Sequence, residues 1–287
     1  MVEKCFIPTS LAEALEIRKE TKARPLAGGT DLMVQYKQGQ GITPVFPWPV
    51  MIISSIGELR GIEKGEDGSV LIRALTTPYE IANCQDVPYP VREAASRMGA
   101  VALRNSATIG GNIGNASPKG DLPQPLILLD ATVVLKSLDG DREVLLDDFI
   151  LGSKKTDLRD DEIIYAVRIP KVEYTHVFYR KIGTRRANAI SKLSLSCLIR
   201  VEDGVVTDFR ASSGAAGPKV IRSRETEAIL KGRRLEDVKS LIPEVLDGWN
   251  RAISPHAMPE YRRNTTRRML EHFLLESVSA SSECIIH

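Results

Sequence analysis

Two glycine pairs are the residues of this chain best suited to chemistry. The first lies in Leu26-Ala27-Gly28-Gly29-Thr30-Asp31-Leu32, the second in Thr108-Ile109-Gly110-Gly111-Asn112. Consecutive glycines after an apolar segment let the backbone approach a ligand closely, with N–H groups free of neighbouring side chains. A helix N-terminus just beyond adds partial positive charge, and that combination suits a phosphate. Either stretch alone has a competing reading as a glycine turn that merely starts a helix. Together, the two can hold one pyrophosphate from two sides through many backbone amides. Charge-assisted hydrogen bonds contribute roughly 1.5–3 kcal/mol each, so several give tight binding without a lysine-rich loop. G-x-x-x-x-G-K-[ST] is absent, which excludes a P-loop, and the spacing fails the G-x-G-x-x-G dinucleotide fingerprint.

The elements that must position these turns follow from local signals. Ser10-Leu11-Ala12-Glu13 is a capping box that opens a helix with an apolar stripe at Leu11, Ala14, Leu15 and Ile17. A short strand, Ala23 to Ala27, feeds the first turn, and Thr30 or Asp31 caps a helix from Leu32 to about Gln38. Met51 to Ile53 and Val70 to Ile72 read as strands; Thr77-Pro78-Tyr79-Glu80 starts a second capped helix, and Val91 to Met98 a third that stops at Gly99. The Gly/Asn/Ser-rich stretch from Asn105 to Gly120 reads as a long loop, and loops of that length inside a compact domain are usually functional. A hairpin across Asp139-Gly140 and a strand from Ile163 to Ile169 close this half. After a boundary near Lys171 to Tyr174, three antiparallel strands are expected at Val177–Ile182, Leu193–Val201 and Val205–Ala211. Helical patterns at 224–230, 235–241 and 261–275 follow, and then a frayed Ser-rich tail.

Composition narrows the chemistry. The 287 residues carry a net charge of +2 and only 5% aromatics, which argues against a nucleic-acid binder. Cys5, Cys84, Cys197 and Cys284 include no C-x-x-C pair, and His176, His256, His272 and His287 show no ligand spacing. A disulfide framework, a zinc site and an iron–sulfur cluster held by this chain are therefore disfavoured, so an organic cofactor or a partner's metal is implied. No apolar run approaches the roughly 20 residues of a membrane span, and the N-terminus lacks a signal peptide's apolar segment, so the expected compartment is cytoplasmic. Cys284-Ile285-Ile286-His287 matches C-a-a-X formally and reads as coincidence. Arg262-Arg263 and Arg267-Arg268 read as a solvated or subunit-facing basic helix face. Thr43-Pro44-Val45-Phe46-Pro47-Trp48-Pro49 reads as a connector rather than a docking site.

With Arg104-Asn105 before the second glycine pair and Gly120-Asp121 after it, the chain resembles the FAD-binding medium subunits of molybdenum hydroxylases, the relatives of xanthine and carbon monoxide dehydrogenases. Further matching stretches are Asp161-Glu162-Ile163-Ile164 ahead of Arg168-Ile169-Pro170, then Tyr179-Arg180-Lys181, Arg185-Arg186 and Tyr261-Arg262-Arg263. The likeness covers nearly the whole chain. It implies an α+β chain with a vanillyl-alcohol-oxidase (PCMH)-type FAD fold in two lobes, 1–55 and 56–172, and a C-terminal antiparallel-sheet and helix domain, 173–287. It also implies that 26–32 and 108–112 hold the FAD pyrophosphate, that Ser117 and Asp121 meet the ribityl and flavin, that Ile164 borders the adenine side, and that Lys181 approaches the isoalloxazine.

By the same resemblance, partners are implied: a large molybdopterin subunit that oxidises substrate and a small subunit with two [2Fe–2S] clusters, in a dimer of heterotrimers. FAD passes their electrons to NAD+, a quinone or another acceptor. No histidine precedes His176 and Cys84 lies outside both glycine turns, so noncovalent FAD is expected. Between the arginine pair and Lys192, the neutral run Ala187 to Ser191 departs from the acidic stretch of many relatives; the resemblance implies that this loop borders the flavin in NAD-linked members, so the acceptor stays open. Two other functions compete: a self-contained flavin oxidoreductase of the same fold, and a nucleotide-binding regulatory module without redox activity.

Overall fold

The computed structural model describes residues 4–42, 44–185 and 188–279. Met1–Glu3, Thr43, Arg186, Ala187 and the C-a-a-X-like end at Cys284–His287 lie outside the described residues. The first helix, Leu11–Thr21, starts where Ser10 accepts the Glu13 N–H. The Glu13 carboxylate takes the Thr9 N–H at 2.8 Å, one residue earlier than a capping box requires. A three-stranded parallel sheet of Cys5–Phe6, Val50–Ile52 and Arg24–Leu26 backs this helix. Ala14, Leu15, Met51, Ile53, Ile56 and Leu59 form its core.

The second layer is a five-stranded antiparallel sheet in the order Ile62–Lys64, Val70–Arg73, Ile163–Ile169, Thr132–Ser137, Gly140–Leu145. Its central strand, Ile163–Ile169, is buried along most of its length and carries a register shift between Ile164 and Ala166. Helices Pro78–Asn83, Tyr89–Ser96 and Pro123–Leu128 join it around a large apolar core. Thr77 and Glu80 there form the reciprocal capping box that the sequence predicts.

The stretch 105–120 is not one long loop. Helix Val101–Ser106 ends inside it, and Thr108 caps a further helix, Ile109–Gly114, by accepting the Gly111 N–H. Glycine and asparagine have poor intrinsic helix propensity, and here a cap and burial of Ile109 and Ile113 override it.

The C-terminal part is a four-stranded antiparallel sheet, His176–Ile182, Leu193–Glu202, Val205–Gly214 and Ile221–Arg222. Helices Val238–Ala252 and Pro259–Ser279 cover it over a separate apolar cluster centred on Trp249, Phe209, Leu246 and Phe273. The first of these runs well past the expected end at residue 241, through Pro243 and Gly248, because its Val245, Leu246 and Trp249 face is buried.

Polar clasps join the layers. Arg18, 4% exposed, donates to the carbonyls of Lys22, Ala23, Arg159 and Glu162 and so ties the first helix to the approach of the central strand. The Glu162 carboxylate is itself held by the Arg142 guanidinium, at 2.9 Å on one oxygen. On the other side, Arg210, Arg222 and Arg224 converge on Asp130. Asp130 has a φ of +55°, and Arg222 also donates to the carbonyls of Ile127 and Leu128. Buried Gln124 exchanges hydrogen bonds with Ser196 and Ser212 across the same seam.

Candidate functional site

The two glycine pairs meet in space. A β-carbon on Gly28 would lie 1.6 Å from the Ser106 carbonyl oxygen, so only glycine lets the first turn rest against the residues that lead into the second. Gly29, at φ +66°, then redirects the chain into the short helix Leu32–Gln35. That helix is a turn shorter than the sequence predicts. Asp31 stands at its cap position without making the cap bond; its carboxylate instead meets Gln35 and Lys154. Gln35 and Lys154 both reach the Asn115 side-chain oxygen at the end of Ile109–Gly114, so a polar bridge fixes the spacing of the turns.

The turns differ in what they offer. Among the described residues, the N–H groups of Gly28, Gly29, Thr30 and Asp31 donate to no protein acceptor. Those of Ile109, Gly110, Gly111 and Asn112 are spent, on Thr76 O, Ala74 O, Thr108 Oγ1 and Thr108 O. The two-sided amide clamp expected from the sequence is therefore one-sided. The second turn offers its exposed Gly111 face and the Thr108 hydroxyl, beside the half-buried Asn112 side chain. The Asn112 side-chain oxygen, Oδ1, accepts the Leu122 N–H at 3.3 Å, which links this helix to the turn that follows.

That turn, Ser117 to Gly120, closes with the Gly120 N–H on Ser117 O. It delivers Asp121 into a buried ion pair with Lys181, 2.8 Å away, whose ammonium also donates to the Arg97 carbonyl. Asp121 is thus a charge partner; the cap residue of helix Pro123–Leu128 is Leu122, which makes no side-chain bond. Its second oxygen, Oδ1, is buried without a partner, and so is the Tyr179 hydroxyl two residues before Lys181 on the same strand. Burial pushes the Asp121 carboxyl above the usual carboxylate range, and the Lys181 charge pulls against that shift. Burial, and then the Asp121 charge, push the Tyr179 phenol well up, so it stands as a neutral donor. Ile164 is buried against the other end of the second motif, where a β-carbon on Gly114 would lie 3.2 Å from it.

Of the sequence-derived site residues, 26–32, 108–112, Ser117, Asp121, Ile164 and Lys181 thus fall on connected elements. Sequence reasoning missed Asn115, Lys154 and Arg97, whose contacts lie 39 to 123 positions away in the chain, and named Tyr179 only within a matching stretch, not as a site residue. Of the basic helix face expected to be solvated or subunit-facing, Arg267 and Arg268 are exposed, whereas Arg262 is buried and donates to Ala215 O, and Arg263 donates to Asn250 O. The 44–49 segment packs Phe46 and Trp48 against Tyr36, with Arg24 4.6 Å from the Trp48 ring centre. Among the described residues no helix is long and apolar enough to cross a membrane.

The arrangement fits a dinucleotide cofactor: open amides and a glycine that admits no side chain at one end, and an orphaned buried carboxylate oxygen at the other. Comparisons with known proteins agree. The family of the FAD binding domain in molybdopterin dehydrogenase matches residues 1–172, and that of the CO dehydrogenase flavoprotein C-terminal domain matches residues 178–277. The glyceraldehyde dehydrogenase medium chain of Sulfolobus acidocaldarius is 30% identical over 264 residues, 90% of this chain and 92% of that one. The nicotinate dehydrogenase FAD-subunit of Eubacterium barkeri is 33% identical, over 84% of each chain. Among solved structures, a carbon monoxide dehydrogenase from Hydrogenophaga pseudoflava that lacks the Mo-pyranopterin moiety superposes with a TM-score of 0.83. It is 25% identical, over 96% of this chain and 97% of that chain.

Proposed function

Because this chain belongs to the FAD-binding family of the molybdopterin dehydrogenases, we propose that it relays electrons from the [2Fe–2S] clusters of a small partner subunit through noncovalent FAD to NAD+ or another acceptor such as a quinone. A large molybdopterin subunit would oxidise the substrate, in a dimer of heterotrimers. The chain itself is an FAD-binding subunit of an oxidoreductase of the molybdenum hydroxylase family. Within it we assign lobes 1–55 and 56–172 to the cofactor and 173–287 to the domain that covers it, in a cytoplasmic complex.

The observation that carries this reading is the pairing of four open amides at Gly28–Asp31 with the abutting Thr108–Asn112 turn and, beyond it, the buried Asp121–Lys181 pair. Bound FAD supplies reversible one- and two-electron chemistry. The chain's own residues bind and orient it. The open amides of Gly28 to Asp31 neutralise pyrophosphate charge, and the Thr108 hydroxyl adds a neutral donor. Leu26, Ala27, Leu32 and Ile109 set the backbone path, and Gly110 packs against Ala74 where a β-carbon would not fit. Ser117 and Asn112 hold the turn that delivers Asp121, whose free oxygen is an acceptor for an N–H donor of the cofactor. Lys181 opposes the upward push of burial on that carboxyl. Ile164 offers an apolar wall at the far end.

The test is co-expression with the small and large chains. Molybdenum and iron should be found in the complex, FAD should be released from this chain by acid precipitation, and substrate should bleach the flavin of the complex but not that of the lone chain. Turnover by the lone chain would favour the self-contained oxidoreductase. Flavin that stays on the precipitated polypeptide would contradict noncovalent attachment.

A further inference from the structure

One short helix joins the two ends of the cofactor site and leaves its outer side open to solvent. Helix Val101–Ser106 contains no buried residue. Its inward side is formed by Leu103, packed against the apolar core of the second layer, and Arg104, whose guanidinium donates to the carbonyls of Met98 and Gly99. Val101, Ala102, Asn105 and Ser106 share the opposite side and are all exposed, Val101 by 59%.

A helix of 6 residues does not persist by itself in water, so its surroundings fix its place. The chain turns into it at Gly99, at φ +53°, where a β-carbon would lie 3.0 Å from Leu103 Cδ2. The Asn105 side-chain amide and the Ser106 hydroxyl donate back to the Val101 and Ala102 carbonyls. The outer side is therefore uncharged, with two of its donors engaged within the helix, and at its Val101–Ala102 end it presents carbon surface. Such a surface suits a flat ring system and gives an ion nothing to bond.

The ends of the helix identify what covers it. Just before it, the Arg97 carbonyl accepts from Lys181, the ion-pair partner of Asp121. At its far end, the Ser106 carbonyl oxygen blocks the space of a Gly28 β-carbon, next to the open amides of Gly28 to Asp31. The helix is about 9 Å long at about 1.5 Å per residue. A dinucleotide held at both ends must pass along it, with its phosphates toward Ser106 and its redox-active ring toward Val101. We propose that the Val101–Ala102 end of this helix is the ledge on which the isoalloxazine of FAD rests, with Val101 in contact with the ring. This inference rests on the flavin reading and deepens it, by assigning the ring a contact surface outside both glycine turns and outside the Asp121–Lys181 pair.

The test is isothermal titration of the full chain with FAD and with ADP, which carries a pyrophosphate but no flavin. Val101→Asp places a charge against the ring. An acidic residue in the first turn of a helix favours the helix, so the thermal midpoint of the FAD-free variant should match that of wild type. FAD binding should weaken about tenfold, less than the full worth of one buried valine, while ADP binding stays unchanged. Val101→Leu keeps the apolar surface and should bind FAD within about twofold of wild type. FAD affinity indifferent to Val101→Asp, or FAD and ADP weakened alike, would overturn the ledge. Unchanged FAD affinity with loss of assembly onto the small and large chains would also overturn it and give the helix to a partner subunit. A wild-type chain that binds no FAD would sink the flavin reading and this inference together; wild-type FAD binding that ignores Val101→Asp sinks the inference alone.

Discussion

Replacing Gly28 by alanine probes the contact on which the cofactor cradle depends. The added methyl would lie 1.6 Å from the Ser106 carbonyl oxygen and 2.6 Å from its carbon, with the Ala107 Cα at 3.3 Å. To reach even a tight contact of about 3.2 Å, the first turn must move away from the second by roughly 1.5 Å. Overpacking of this kind costs about 1–3 kcal/mol in the protein alone. A displacement of that size also removes two or so of the charge-assisted bonds from the open amides, at roughly 1.5–3 kcal/mol each. The sum predicts FAD affinity lower by a hundredfold or more, on the order of 3–6 kcal/mol. Flavin fluorescence quenching on titration of the purified chain reads this directly. Gly152→Ala is the control, because a β-carbon there meets nothing within 4 Å. Gly28→Ala with wild-type FAD affinity would refute the reasoning, since the cradle would then not depend on the abutment of the two turns.

Three other outcomes follow from the same structure. Lys181→Met leaves Asp121 buried and uncompensated and should cost about 3–5 kcal/mol in urea denaturation. Adding Asp121→Asn to that variant should recover part of the loss, and equal costs for the single and double variants would contradict the pairing. Glu162 and Asp130 are held below the usual carboxylate range, against the opposing effect of burial, Glu162 by Arg142 and Asp130 by Arg224, Arg222 and Arg210. Their contribution to stability is complete above the ordinary Glu and Asp values of 4.5 and 3.8 and is lost as pH falls through the lower folded values. Thermal melts should therefore drop on acidification, and Glu162→Gln should flatten the Glu162 share of that slope; an unchanged slope would contradict the assignment. Trp48→Ala removes two ring contacts and the Arg24 cation–π pair and should cost about 2 kcal/mol, read as a lower urea midpoint of the N-terminal part.

What the sequence makes legible here is local. Ser10 and Thr77 cap helices because the bonding partner lies three residues on, and Ile163–Ile169 is a strand in the structure with the ends that its apolar run predicts. The glycine turns are visible for the same reason, since backbone permissiveness is written in the residue type. Their division of labour is not. Whether an amide is open depends on Ala74 and Thr76, which the sheet brings under Ile109 and Gly110 from about 35 positions away. The charge partner of Asp121 is not legible until strand His176–Ile182 sets Lys181 beside it. Arg262 looks like a surface charge on a basic helix until the Ala215 carbonyl is seen beside it. Helix Ile109–Gly114 was illegible because its residues favour loops, and only a cap and two buried isoleucines hold it.

The central claim, that the two turns form one FAD cradle, is tested most directly by equilibrium titration of the purified full chain with FAD, followed by flavin fluorescence. The account predicts saturable quenching at a single flavin per chain, complete release of that flavin on acid precipitation, and loss of the binding in Gly28→Ala. A folded chain that binds no FAD, or whose FAD binding is indifferent to Gly28, would contradict it.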